Sequence, residues 1–182
     1  TALLFSIPLG AYYLHTPQHL NELGVESVSA FMATAQIMET IAMLSMGWAI
    51  ARVRVKTILL LAIGSGVLRY TFYAFDEITW LVVGITLHGI CWTFFFEAGR
   101  VFVHRRVEEG MRTQAQALLG FFTGGLGTVL GILTVDRLYH LISPSWGWSG
   151  YWGVLTGINC VAMILFAIGY KGLPISSRKE GN

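Results

Sequence analysis

The chain reads as an all-α membrane protein built from six membrane-spanning helices. Three observations lead there. Of its 182 residues 54% are hydrophobic and only 12% charged, against roughly a quarter charged in soluble domains. The apolar residues fall in six runs, each close to the ~20 residues a helix needs to cross the hydrocarbon core. No strand-like alternation interrupts them.

The first run covers about 1–20 and holds Pro8 and Pro17, and the polar turn Asn21–Glu26 follows it. The second, about 27–50, ends at the basic turn Arg52-Val53-Arg54-Val55-Lys56. The third, about 57–75, is closed by Asp76-Glu77, and the fourth, about 78–102, stops at His104-Arg105-Arg106 and the acidic Glu108-Glu109. The fifth and sixth lie at about 113–135 and 150–170, with Ser143–Trp148 between them expected to form an aromatic loop. Residues 171–182 form a polar tail, expected to be disordered. The chain enters its first apolar run at Thr1 with neither a basic leader nor a small-residue cleavage site. The expectation is therefore the C-terminal part of a longer polypeptide.

Loop charge predicts orientation. Arg52, Arg54, Lys56, Arg105, Arg106, Arg112, Lys171, Arg178 and Lys179 fall on one side, with Arg100 near it. The other side holds Arg137 among Glu22, Glu26, Asp76, Glu77 and Asp136. Basic loops stay on the cytoplasmic side, so both ends of the chain are expected there, in a cytoplasmic (inner) membrane. Trp80, Trp146, Trp148, Tyr151 and Trp152 gather toward the opposite face, as an interfacial belt does.

Several function classes are disfavoured. A net charge of +2, split among short loops, gives nucleic acid no basic surface. Cys91 and Cys160 lie inside apolar runs and fit neither a disulfide nor a metal motif. No Gly-rich phosphate loop follows a strand, so nucleotide hydrolysis is not the expected energy source, and no cofactor is implied. His15, His19 and Glu22 have helical spacing, but Pro17 sits between the histidines and no metal site is assigned.

Ionisable groups at membrane depth are costly and mark solute or proton pathways. Glu39 is near the middle of the second run and His88 well inside the fourth. Gln36 and Glu39, three apart, share a helix face and offer donors and acceptors together. His88 is read as a proton relay, a ligand contact or a satisfied interior histidine. Trp92, one turn on, and Tyr12 and Tyr13 offer flat faces to a flat ring, or simply pack. Arg69 is expected to pair with Glu39 or Asp76, or to snorkel to the interface, in a structural role. Glu97 and Arg100, three apart, suggest a gate or an intrahelical pair. In the fifth run Gly120 with Gly124 and Gly127 with Gly131, and in the sixth Gly153 with Gly157, give the small-xxx-small spacing of close helix packing.

The turn Gly47–Lys56 is similar to a degenerate form of the cytoplasmic G-x-x-x-D-R-x-G-R-R signature of the major facilitator superfamily. Five further patterns run in order: Leu20-Asn21-Glu22-Leu23-Gly24, Gln36-x-x-Glu39, Val67-Leu68-Arg69-Tyr70, His88-Gly89-x-x-x-Thr93-Phe94-Phe95, and Arg112-x-x-Ala115-Gln116. Together they resemble the nucleoside:proton symporter family of that superfamily. The resemblance implies twelve spans in two six-helix bundles, of which this chain is the C-terminal one, needing the missing N-terminal half, the bilayer, a nucleoside and protons as partners. It implies that Gln36 and Glu39 contact the nucleoside, that His88, Trp92 and Thr93 line the cavity with Tyr12 and Tyr13 near it, and that Glu39 and His88 handle the proton. Thr93 stands where better-studied members carry an aspartate, His88 where they carry a tyrosine, and Tyr12 and Tyr13 where they carry amides.

Three other readings stay open at this level. The acid, arginine and histidine on successive spans also resemble the lactose permease branch, which implies a sugar:proton symporter, although Cys91 stands where that branch has a second acid. A membrane-embedded metalloenzyme on His15, His19 and Glu22 is the second. A non-transporting half-protein is the third.

Overall fold

The computed structural model describes residues 2–170; the stretch 171–182, read from sequence as a cytoplasmic tail, lies outside the described residues. Helices α1 (Ala2–Glu22), α2 (Val28–Arg52), α3 (Val55–Tyr73) and α4 (Ile78–Arg106) lie over the first four apolar runs. A 3-10 turn, Glu109–Met111, leads into α5 (Arg112–Gly120), a π-helical stretch (Phe121–Leu126) and the long α6 (Gly127–Gly169). The described residues are otherwise short turns, so the fold is all-helical.

Four stretches are long and apolar enough to cross a membrane: Val28–Arg52, Val55–Tyr73, Ile78–Arg106 and Glu109–Gly169. The protein is a multi-pass membrane protein. The last stretch has 61 residues. At 1.5 Å per residue that is ~90 Å of helix, about three times the hydrocarbon thickness. It is broken at Gly147, whose φ of 59° and ψ of −161° belong to glycine almost alone. Beyond the break the chain doubles back, and Tyr139 on one arm meets Tyr151 on the other at 5.5 Å between ring centres. Helix therefore occupies most of Ser143–Trp148, where the sequence suggested a loop. Pro144 and the glycines look like loop formers, but the helix resumes on both sides of a single break.

Helix α1 packs along α6, α2 along α4, and α3 between α4 and α6. Close approach of α1 and α6 depends on glycine. A Cβ on Gly131 would meet the Ser6 carbonyl oxygen at 2.9 Å, and one on Gly10 would meet Ile132 N at 2.8 Å. Gly127 sits equally tight, its missing Cβ 3.0 Å from that of Ser6. The other small-xxx-small pairs do not pack this way: Gly120, Gly124, Gly153 and Gly157 face open space. The π-helical stretch holds an extra residue per turn, which separates the facing of Gly120 and Gly124 from that of Gly127 and Gly131.

Two apolar clusters fill the bundle. One, with Leu20, Leu81, Ile85, Val135 and Leu155 at its centre, lies toward the end that carries Glu22 and Asp76. The other, with Phe5, Ile58, Ile63, Phe95 and Phe166, lies toward the basic turns. Between them sits a polar layer: Arg69, His88 and Thr93 are all buried to 1% exposure.

Candidate functional site

The polar layer is assembled from four helices. His88 projects from the middle of α4, and the next residue, Gly89, brings α2 against it. A Cβ on Gly89 would fall 2.5 Å from the Ala35 carbonyl oxygen and 2.7 Å from the Met38 carbonyl carbon, so only glycine allows the contact. That approach carries Glu39 to His88, with Oε1 3.8 Å from Nε2. Glu39 keeps a quarter of its side chain exposed, and Gln36, one turn earlier, is exposed. Thr93 is buried beneath the same crossing, with its hydroxyl 3.5 Å from the Glu39 backbone carbonyl.

Rings close the site from the other side. Tyr12 of α1 stacks flat on His88, with centroids 3.6 Å apart and planes at 9°. Tyr13 stands edge-on to both His88 (5.9 Å) and Trp92 (6.4 Å), and His88 lies 5.9 Å from Trp92. The two tyrosines differ in access: Tyr12 is 4% exposed and Tyr13 52%. A small groove lined by Ser6, Leu9, Tyr13, Trp92, Phe96 and Thr123 among others runs beside them. Tyr12, Tyr13, Glu39, His88, Trp92 and Thr93 thus share one place, with Gln36 at its open edge.

Arg69 sits elsewhere than expected. It neither snorkels nor pairs with a carboxylate. Its guanidinium is buried, one terminal nitrogen donating to His88 Nδ1 and the other to the Tyr70 hydroxyl. That hydroxyl donates in turn to the Pro8 carbonyl of α1. The cation also lies 4.3 Å from the Tyr70 ring centre and 5.6 Å from that of Tyr12. Sequence reasoning missed Tyr70 and Gly89 as parts of the site. Both stood inside quoted motifs, and buried helix neighbours of ionisable residues were the available signal.

Asp76, the other carboxylate proposed for Arg69, belongs to a second network at the acidic end of the bundle. Its Oδ1 lies 2.6 Å from His19 Nε2. Trp152 donates to His19 Nδ1 at 3.0 Å, and Trp148 stacks on the same ring at 4.4 Å and donates to Glu22 at 2.6 Å. His15 Nδ1 meets the Tyr151 hydroxyl at 2.7 Å. His15, His19 and Glu22 therefore each have a different partner, and no three His, Cys, Asp or Glu side chains converge on a metal position among the described residues. Near the basic end Glu97 and Arg100 form a 2.8 Å pair on α4, and Gln116 of α5 donates to the Arg100 carbonyl. That pair lies beyond Trp92 along α4, toward its basic end.

A family model described as Nucleoside H+ symporter matches residues 1–173. The chain belongs to the nucleoside:proton symporter family. Among curated relatives in Escherichia coli (strain K12), the family resemblance extends to the putative nucleoside transporter YegT at 28% identity, covering 92% of this chain and 43% of that protein. The nucleoside permease NupG is 25% identical over 89% of this chain and 41% of its own length, and the xanthosine permease 24% over 92% and 42%. The chain thus spans less than half the length of these family members. Crystal structures of the nucleoside transporter NupG share the fold. A point-mutant form superposes with a TM-score of 0.83 and another with 0.77, at 24% identity, over 93% of this chain and 47% of theirs.

Proposed function

We propose that this chain is the C-terminal half of a proton-coupled nucleoside symporter of the major facilitator type, working by alternating access in a cytoplasmic membrane. The observation that carries the reading is the meeting of Glu39 with His88 among Tyr13 and Trp92, in a member of this family. A carboxylate and an imidazole in a membrane-embedded ring cluster provide a proton site beside a flat-ring site.

In this reading residues 1–170 form six spans, the first being α1 and the last two the arms on either side of Gly147. Helix α1 crosses despite its two prolines and polar residues because Tyr12, His15 and His19 face the bundle interior, where partners meet them. The basic turns, and with them the 171–182 tail, face the cytoplasm. The N-terminal six-span half supplies the facing wall of the cavity, and the solute binds between the halves near the midplane. Gln36 and Glu39 meet ribose hydroxyls or base edges. Tyr13 and Trp92 offer ring faces to the nucleobase, while Tyr12 and Thr93 support the site from behind. Glu39 faces His88 and takes the coupling proton from outside. Rocking of the two halves then opens the loaded site inward. The Glu97–Arg100 pair lies on the inward path, where gating acts. The sugar reading is not favoured, since Cys91, where a second acid would stand, is buried against Gly66 in the apolar layer.

The test is uridine and adenosine uptake into cells expressing the full-length parent, with and without a proton uncoupler, for wild type and Glu39→Gln. Uncoupler-sensitive uptake that the substitution abolishes is the expected outcome. No nucleoside uptake by a well-expressed wild type would overturn the substrate assignment.

A further inference from the structure

We infer that Arg69 is a positioning residue which fixes His88 as a donor at Nε2, leaving Glu39 as the only proton acceptor of the Glu39–His88 pair. The inference rests on the symport reading for its meaning, but its structural content stands on the hydrogen bonds alone.

Guanidinium nitrogens carry only donors, and the group stays protonated in proteins. An imidazole nitrogen facing one must therefore accept. Since Arg69 donates to His88 Nδ1, the ring hydrogen of a neutral His88 is on Nε2. A doubly protonated ring would set N–H against N–H. Nε2 is buried and has no hydrogen-bond partner among the described residues, and the group it faces is the Glu39 carboxylate at 3.8 Å. A small approach of α2, or one polar atom of a solute, completes that contact.

The charges around the ring agree. From α3 come Arg69 and, through it, Tyr70. From α1 come Tyr12, stacked on the ring, and Tyr13, edge-on to it. From α2 comes Glu39, and α4 itself brings Cys91 one turn away. Among the described residues, the carboxylate facing this group is Glu39. It balances the buried Arg69 cation through the imidazole. A proton arriving at Glu39 forms an O–H bond there and removes that balance, so the buried cation favours a different arrangement of α2 against α3 and α4 once the proton is bound. His88 transmits the change without itself carrying the proton.

The experiment uses the full-length protein with ¹⁵N-labelled histidine, the His88 signal being assigned by its loss in His88→Gln. From about pH 5.5 to about pH 8, the range in which a free histidine titrates, His88 is expected to stay in the Nε2–H form in wild type and in Arg69→Lys, which keeps a donor-only cation. In Arg69→Met the Nδ1–H or doubly protonated form is expected. A doubly protonated or Nδ1–H ring in wild type overturns the inference. The transport arm uses His88→Gln, whose amide N–H replaces Nε2–H but cannot relay a proton. It is expected to keep uncoupler-sensitive accumulation within about tenfold of wild type, the weight of one altered hydrogen bond. Folded His88→Gln that exchanges solute without accumulating it, or that loses about 100-fold or more as a lost proton relay does, overturns the inference. Should Arg69→Met fail to fold, the wild-type spectrum and His88→Gln still decide it. Should wild type take up no nucleoside, the symport reading fails while the spectrum still decides the tautomer.

Discussion

At the level of single side chains, the site divides into groups that are open and groups that hold them. Tyr13 and Trp92 are reachable, whereas Tyr12, Thr93 and Arg69 are buried and work through neighbours. Stacking of a base on an aromatic ring contributes about 1–3 kcal/mol by alanine substitution. Trp92→Ala is accordingly expected to raise the KM for nucleoside uptake on the order of tenfold with little change in the uncoupler response. Kinetics of uptake at varied uridine concentration measure it, and an unchanged KM would remove Trp92 from the solute site. Glu39, His88 and Trp92 were legible in the sequence because ionisable and aromatic residues at helical spacing stand out in an apolar run. The partner of Arg69 was not legible. Its long side chain can reach several helices, and the choice between Glu39, Asp76 and His88 depends on how α3 and α4 cross, which spacing along one helix does not encode.

For the helices, the decisive contact is α2 on α4 at Gly89. A methyl group there would strike the α2 backbone at Ala35 and Met38, and backbone cannot rotate aside as a side chain can. Overpacking of this kind costs about 1–3 kcal/mol. Gly89→Ala should lower the melting temperature of the purified full-length protein and cut uptake, because Glu39 moves away from His88. Gly153→Ala and Gly157→Ala, which face open space, should leave both unchanged. Equal effects at all three positions would show that helix propensity rather than the crossing sets the outcome. The spacing of these glycines looks alike in sequence. Only the packing of the neighbouring helix tells Gly127 and Gly131 apart from Gly120 and Gly124, and that packing follows from a π-helical stretch without a clear sequence mark. The same limit explains Ser143–Trp148: proline, glycine and tryptophan there mark a change of direction correctly but overstate its length.

For the molecule as a whole, helix α2 rests chiefly on α4 and leaves Ile37, Ile41, Leu44 and Trp48 exposed along one stripe. Glu39 and Gln36 lie on the same helix, so the wall they form is one-sided within this chain. Under the proposed function, this chain expressed alone should give no uptake, and co-expression with the N-terminal half as a separate polypeptide should restore uncoupler-sensitive uptake. Uptake by this chain alone would overturn the two-half reading. The all-helical membrane fold was legible from composition and run length, since the bilayer sets both. Each residue turns an α-helix by about 100°, so the stretch Phe121–Leu126 acts as a phase setter whose length decides which residues meet α1. Deleting Gly125 removes the one extra residue that the π turn accommodates, so the turn should revert to α geometry with Gly127 and Gly131 still against α1. That deletion should melt close to wild type, whereas deleting Gly124 and Gly125 together should melt earlier, because Thr128 and Ile132 then stand where Gly127 and Gly131 now admit Ser6 and Gly10. A single deletion that melts as early as the double one would show that the phase is set elsewhere. The last two arms are thus aligned by residue count as well as by residue type, and the π turn is the place where one residue can be lost without turning them.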